Sequence, residues 1–304
     1  MGLMDGRVVL ITGAARGQGR SHAIRFAEEG ADVVAIDVCA PIPHALYPMG
    51  TADELAETAH EVEKLDRRCL TYQTDARDSG RLRQVVAEAV GELGRLDTVL
   101  INHGIARPHT TDDEDTDEVF DTLVEVNLSA VWRTATATIP YLKENGGGSI
   151  QVTGSAASLV GIYNNAGYTA AKHGLVGLVR CLAADLSPFW IRCNLVCPTN
   201  VPTPLMMNES NLERFVPDNP NATFKDMEFP LASVNQLPLA WVEPRVISDA
   251  MLFLAADTGK YITGISLPVD AGMTSQPPGI THFLGKRLAE LAQAAGTTVG
   301  PAAP

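Results

Sequence analysis

Tyr168 stands four residues before Lys172 in the stretch YTAAKHG, residues 168–174. On a helix that spacing stacks both side chains on one face. A free phenol, with a pKa of ~10, is a poor base near neutrality. An ammonium one turn away places a cation near the phenol and, with a further positive charge from a bound cofactor, should favour the phenolate. The pair could therefore take a proton from an alcohol or return one to a carbonyl. An aromatic ring packed under a lysine stem meets the same spacing with no chemistry at all. No other tyrosine in the chain has lysine four residues on. Ser155, thirteen residues before Tyr168, can donate to a substrate oxygen and steady charge there. Taken singly it reads as a turn serine. His22, His103 and His173 read as packing or supporting residues. No GxSxG elbow occurs, so a Ser-His-Asp hydrolase has little support.

A second cluster binds rather than reacts. ITGAARGQGRSHA, residues 11–23, follows an apolar run and opens a helical pattern. Gly13, Gly17 and Gly19 allow a tight turn and close approach of a ligand to backbone. The helix that starts there points free N–H groups and a positive dipole end at the loop, which suits a pyrophosphate. Asp37, eighteen residues after Gly19, ends the next apolar run. Its carboxylate can accept from both ribose hydroxyls and would repel a 2′-phosphate. Arg16 could pair with such a phosphate, or turn to solvent or to Asp37. The balance favours NAD over NADP.

These residues need a scaffold. Short apolar runs, RVVLITGA, DVVAID, RCLTYQTD, LDTVLINHG, GGGSIQVTGS, IRCNLVCP and GISLPVD, alternate with helical patterns. That alternation predicts an α/β domain with a mostly parallel sheet covered on both faces. A long helix is expected over about 115–144, and others begin near Thr51 or Asp53 and at Pro244. Three stretches depart from the pattern. Residues 39–50 carry three prolines. Residues 203–240 read as irregular. Residues 276–304 begin QPPG, carry a helical pattern at HFLGKRLAELAQAA and end in a tail. The expected division is a catalytic domain over 1–275 and an extension over 276–304.

The 304 residues are 45% hydrophobic and 19% charged, enough for a sizeable core. The net charge of −13 argues against nucleic acid and anionic membranes as partners. The start MGLMDGRVVLITG does not read as a signal peptide, and no membrane span is expected. Five cysteines, Cys39, Cys69, Cys181, Cys193 and Cys197, lack framework or metal spacing. Free thiols in a reducing cytoplasm, and no metal, are expected.

The motifs together resemble the short-chain dehydrogenase/reductase family over about residues 5–275. TGAARGQG has its TGxxxGxG form. NHG at 102–104 matches its NAG element, with His103 in place of alanine. Asn127 in VEVNLSA matches its helix asparagine, and Ser155, Tyr168 and Lys172 match its serine and YxxxK. CPTNVPT at 197–203 falls where PGxVxT is usual, and PVDAG at 268–272 matches the closing strand. Finer features resemble the carveol-dehydrogenase-like, mycofactocin-associated branch: GQGRSHA, the proline-bearing insert, Pro-Thr for Pro-Gly, and WVEPRVISDAMLFLAAD.

The resemblance implies a doubly wound sheet of the Rossmann type and catalysis by Asn127, Ser155, Tyr168 and Lys172. Asn127 would hold a water in a local helix distortion and relay protons through Lys172. For NAD the resemblance implies Gly13, Arg16, Gly17, Gln18 and Gly19, then Asp37 and Val38. Asp75 and Ala76 would lie near the adenine, although Asp75 could simply cap a helix. Asn102, Gly104, Tyr168, Lys172, Pro198, Thr199, Val201 and Thr203 complete that set. It also implies a homotetramer through the helices near 115–144 and 165–186. The branch further implies retained NAD recycled by an external redox partner.

The 203–240 region carries Leu205, Met206, Met207, Phe215, Phe224, Met227 and Phe229. Folded over the nicotinamide side it would make an apolar lid, with Leu159, Ile162 and Tyr163 lining the same cavity. Packing against another subunit is the competing reading. A hydrophobic secondary alcohol or its ketone, such as a cyclic terpenoid, fits such a cavity. A 3-oxoacyl or 3-hydroxyacyl reductase would use the same residues, and a non-catalytic nucleotide-binding protein would use only the loop.

Overall fold

The structure, a computed structural model, describes residues 2–217 and 219–275, with residues 290 and 293 beyond them. The expected C-terminal extension and its helix thus lie outside the described residues, those two aside.

Seven strands form one parallel sheet: β1 Val8–Thr12, β2 Asp32–Asp37, β3 Cys69–Gln73, β4 Thr98–Ile101, β5 Gly148–Thr153, β6 Ile191–Pro198 and β7 Ser266–Val269. Their spatial order is β3-β2-β1-β4-β5-β6-β7. The chain starts at β1, winds outward through β2 and β3, then crosses back to β4. Neighbouring connections therefore diverge between β1 and β4 and leave a crevice at their carboxyl ends. Every residue of β1 and β4 is buried, as their continuous apolar runs require.

Nine helices lie among the described residues: α1 Gly17–Glu28, α2 Ala52–Glu63, α3 Ser79–Leu93, α4 Thr116–Val124, α5 Ala130–Glu144, α6 Ala166–Leu186, α7 Glu209–Phe215, α8 Glu228–Ser233 and α9 Pro244–Ala255. Helices α1, α2 and α9 pack one face of the sheet through Phe26, Leu55, Val62 and Met251. Helices α3, α5 and α6 cover the other through Val85, Val131, Leu175 and Val179. Burying each such side chain contributes about 1.5–3 kcal/mol.

Local chemistry sets the helix ends. Thr51 and Glu54 form a reciprocal capping box on α2, with bonds of 3.1 and 2.9 Å. Asp78 caps α3 by accepting from Arg81 N at 2.9 Å, and Gly94 ends it at φ 84°. Pro244 opens α9.

The helical region expected over 115–144 runs without a gap from Thr116 to Glu144, with a π turn at Glu125–Ser129 between α4 and α5 where the resemblance implied a distortion at Asn127. One expectation needs correction. The region 203–240 is partly helical, holding α7, α8 and a tight 3-10 turn at Phe224–Met227. Asn208 caps α7 by accepting from Asn211 N at 3.1 Å. Leu212, Met227 and Leu231 then bury against one another as a small separate core. Short capped helices with so few apolar positions leave little periodicity to read.

His22, on α1, is fully buried against α9, with Nδ1 2.8 Å from Ser248 Oγ. Burial pushes its imidazole down to about 4. Between pH 6.5 and about 4 the unfolded chain binds a proton that the folded chain refuses. Stability is therefore lost as pH falls through that window, by about 3 kcal/mol from this residue. Denaturant midpoints measured above and below the window check this, and His22→Gln, which does not titrate, should flatten the dependence.

Candidate active site

The glycine loop joins β1 to α1. Gly13 and Gly17 have φ of 67° and 57°, where a side chain is strained. A Cβ on Gly13 would lie 2.9 Å from His103 Cα, and one on Gly19 1.9 Å from Gly13 O. Gly19 thus does not line the cleft. It lets α1 pack directly on the loop. The Arg16 side chain does not cap α1, so the first-turn N–H groups face the cleft without a side-chain acceptor. The buried Oε1 of Gln18, in the same wall, also has no partner among the described residues.

The cleft runs from this loop past Asp37, Val38, Asp75 and Ala76 to Asn102, His103 and Gly104. Asp37 Oδ2 accepts from Ala15 N at 3.0 Å, and Oδ1 from Cys39 N at 3.2 Å. Each oxygen keeps a lone pair for a further donor. Asp75 does not cap α3; Asp78 does. Arg77 holds Asp75 instead, at 2.7 Å. Burial pushes the Asp75 carboxyl up, but the bonds from Arg77 outweigh it and the net shift is down.

The insert 39–50 was legible only as a proline-rich departure. It forms the cleft's outer wall with Ile42, Tyr47, Met49 and Gly50. Its apolar side chains pack with Ile105, Val119, Leu123 and Val126. Tyr47 Oη accepts from Ala106 N at 3.4 Å. Arg16, in the cleft wall, donates to Pro48 O and lies 3.6 Å from Glu54 rather than turning to Asp37. Alternating Ile, Ala, Tyr and Met between the prolines was the available signal for burial here.

The ends of β1, β4 and β5 are laced together by Asn102. Its N–H donates to Thr12 Oγ1 at 3.1 Å, its Nδ2 to Gly13 O at 3.3 Å, and its Oδ1 accepts from Thr153 Oγ1 at 3.0 Å. His103 Nδ1 lies 2.8 Å from Thr12 Oγ1. Burial, aided by the charge of Lys172, pushes this histidine down to about 4, so it stays neutral and serves packing.

Beyond Asn102 the cleft opens into a cavity of about 460 Å³. Ser155, at the end of β5, and Tyr168 and Lys172, on α6, meet there. Ser155 Oγ accepts from Ala157 N at 3.1 Å, fixing the hydroxyl at the entry to a tight turn. Lys172 Nζ donates to Thr153 O at 2.8 Å and lies 5.5 Å from the centre of the Tyr168 ring. Burial pushes the ammonium down to about 8. Burial also raises the Tyr168 phenol, and a hydrogen bond with Ser155 only partly offsets it. Lys172 alone therefore does not bring the phenol below its ordinary value, and the expected lowering depends on the positive nicotinamide ring as well. The physical reason is that both groups are desolvated together.

Asn127 sits in the π turn. Its Oδ1 accepts from Ile105 N at 3.1 Å, and its Nδ2 donates to Ile105 O and Leu123 O, both at 2.9 Å. Gly104 is required beside it, because a Cβ there would lie 2.7 Å from Asn127 Oδ1.

Pro198, Thr199 and Val201 face the cavity rather than the loop end of the cleft, while Gln18, Asn102, Gly104, Thr203 and Leu205 border both. Met206, Ile162 and Tyr163 line the cavity as expected, Tyr163 at its exposed rim. Leu159 does not. It packs into the core under α6, because the turn Ala156–Ser158 aims it back at the sheet, and Val160 takes its place. Of the lid residues expected between 203 and 240, Leu205, Met206 and Phe215 reach the cavity, Met227 is buried in the small α7–α8 core, and Met207, Phe224 and Phe229 are not among the residues that line the cavity. Asn211 and Arg214 of α7 also line it, and sequence reasoning missed both.

Comparisons agree with this geometry. The family described as Enoyl-(Acyl carrier protein) reductase matches residues 13–274. The chain is 46% identical over 275 residues to the (-)-trans-carveol dehydrogenase of Rhodococcus erythropolis, covering 90% of this chain and 99% of that protein. Carveol dehydrogenase from Mycobacterium avium, solved in complex with NAD, superposes with a TM-score of 0.89 at 44% identity, covering 91% of this chain and 100% of that one. A short chain dehydrogenase from Mycobacterium paratuberculosis, solved bound to NAD, does so with a TM-score of 0.83 at 38% identity, covering 90% and 100%. With the glycine loop, the crossover sheet and the serine, tyrosine and lysine gathered at one cavity, the chain belongs to the short-chain dehydrogenase/reductase family.

Proposed function

We propose that the protein is an NAD-dependent oxidoreductase that interconverts a hydrophobic secondary alcohol and its ketone, with cyclic terpenoid alcohols such as carveol as the substrate class. The observation that carries this reading is the meeting of Ser155, Tyr168 and Lys172 on the wall of a mainly apolar cavity that continues the glycine-loop cleft. The carveol dehydrogenases among the relatives supply the substrate class.

Residues of the cleft suit NAD: a glycine cradle that a Cβ would fill, an uncapped helix start, an unpartnered Gln18 oxygen and the Asp37 carboxylate. When bound, NAD supplies the hydride acceptor and, oxidised, a positive charge beside the phenol. Gly13, Arg16, Gly17, Gln18 and Gly19 border or shape the phosphate end. Asp37, Val38, Asp75 and Ala76 border the adenosine end. Asn102, Gly104, Pro198, Thr199, Val201 and Thr203 flank the passage to the nicotinamide side. In oxidation Tyr168 takes the hydroxyl proton, Ser155 donates to the substrate oxygen, and Lys172 holds positive charge near both. In reduction Tyr168 returns the proton. Asn127 keeps the π turn in place beside Gly104 and belongs to the proton path through Lys172.

The insert clasped over the cleft by Arg16 and Tyr47 supports retention of NAD between turnovers. Recycling by an external, mycofactocin-like redox partner follows from that reading. A homotetramer is supported by exposed Phe120 and Trp132 on α4 and α5; light scattering at monomer mass would sink it. No helix among the described residues is long and apolar enough to cross a membrane.

Asp37→Asn should reduce the preference for NAD over NADP by about tenfold or more, because it removes a like charge from the 2′-phosphate. Competitive binding of the two nucleotides measures it. The reading as a whole is tested by mass spectrometry of nucleotide released on denaturation, followed by carveol oxidation with added NAD or artificial acceptors. NADP in the cleft, or no turnover of any secondary alcohol under either regime, would overturn it.

A further inference from the structure

The cavity above Ser155 and Tyr168 has two cations and no carboxylate among its described lining residues. The chain around it carries 36 acidic residues and a net charge of −13. Lys172 is the first cation and is held by Thr153 O. Arg214, on α7, is the second. One terminal nitrogen of its guanidinium donates to Tyr163 O at 2.6 Å, and its central carbon lies 5.3 Å from the centre of the Phe215 ring. Partly buried arginines elsewhere are held either by carboxylates, as Arg25, Arg77 and Arg107 are at 2.6, 2.7 and 2.7 Å, or by several backbone carbonyls at once, as Arg20 and Arg192 are. Among the described residues neither arrangement is found at Arg214. Burial is the influence on its charge, and it lowers the pKa. The group stays charged nonetheless, as guanidinium does in proteins.

We propose that Arg214 is a specificity residue for an anionic group on the substrate, a carboxylate carried by the hydrophobic ring away from the reacting hydroxyl. The proposal rests on the alcohol dehydrogenase reading above and puts cyclic hydroxy acids ahead of neutral terpenoid alcohols as its preferred substrates. A guanidinium offers five N–H donors in a fixed fork. The bond to Tyr163 O engages one nitrogen and orients the fork at the cavity wall. A neutral terpenoid would cover this cation and give nothing back for its lost water. A carboxylate would meet it with charge-assisted bonds, while the ring fills the apolar remainder lined by Val160, Ile162, Leu205, Met206 and Phe215. The competing role is mechanical: the bond to Tyr163 ties α7 to the loop before α6.

The test uses the NAD-loaded protein and two matched probes, 4-hydroxycyclohexanecarboxylate and 4-hydroxycyclohexanecarboxamide. Wild type should favour the acid in kcat/KM by about tenfold or more. Arg214→Met should bring that ratio close to one, Arg214→Lys should restore much of it, and added salt should weaken turnover of the acid selectively. Equal turnover of both probes by wild type overturns the proposal. So does an Arg214→Met variant that slows both alike, the result expected of a latch. Calorimetry with cyclohexanecarboxylate and cyclohexanecarboxamide gives a readout without turnover. Tighter binding of the acid that depends on Arg214 supports the anion site even if no alcohol is oxidised. Carveol oxidation with no preference for the acid overturns this proposal and leaves the dehydrogenase reading standing.

Discussion

Tyr168→Phe should lower kcat for alcohol oxidation by about 10²–10⁴-fold, the range expected for losing a positioned acid–base group. The substitution keeps the ring and removes one oxygen. The ring packs beside Ile105, Val119 and Leu123, so the fold has little reason to change. The hydrogen bond shared with Ser155 is lost, which costs about 1 kcal/mol, but Ser155 Oγ still accepts from Ala157 N. Turnover and thermal midpoint, measured together, separate the two effects: kcat collapses while the midpoint moves little. Burial holds the phenol above its ordinary value, and Ser155 offsets only part of that. Base catalysis should therefore depend on positive charge added to the site, and oxidation should rise with pH in the wild type. A variant that turned over at the wild-type rate would place the chemistry elsewhere and revive the non-catalytic nucleotide-binding reading.

The second large effect is expected from Gly19→Ala. A Cβ at this position would lie 1.9 Å from Gly13 O and 2.7 Å from Gly13 C. These are backbone atoms at the start of the loop, so no side-chain rotation relieves the clash. Either the loop moves off α1 or α1 moves off β1. Overpacking of this kind costs about 1–3 kcal/mol and occasionally more, and it displaces the N–H groups that face the cleft. Loss of bound nucleotide should accompany a lower thermal midpoint. Gly91→Ala is the control, because that helix position on α3 has open space around its would-be Cβ and alanine favours the helix. If Gly19→Ala bound NAD as wild type does, the cradle would not be where the pyrophosphate sits.

Much of the site was legible because its signals are short in range. The Tyr168–Lys172 pair needs only one helical turn, and α6 supplies it. The glycines announce a turn whose φ values most residues cannot adopt. The insert shows the opposite case. Its prolines marked a departure from the repeat, but its role comes from Ile42, Tyr47 and Met49 reaching residues far along the chain. Arg16 is similar: its charge was visible, whereas its attachment to Pro48 and Glu54 was not. The charge state of Tyr168 is a related case. Spacing reports proximity, while the balance between charge and desolvation depends on everything packed around the pair.

By itself the sequence determined seven apolar strand segments, the cradle after the first of them, Asp37 after the second, and the serine, tyrosine and lysine that share one cavity. Those features follow from periodicity, turn chemistry and residue type within a few positions. Only the tertiary structure decided that the distortion at Asn127 is a π turn bonded to Ile105, and that Val160 rather than Leu159 faces the cavity. It also brought Arg214 to that cavity without a carboxylate among the described residues to answer it. The reason is that which side chains face one another across a cavity depends on how remote segments pack, and packing is long in range where sequence patterns are short.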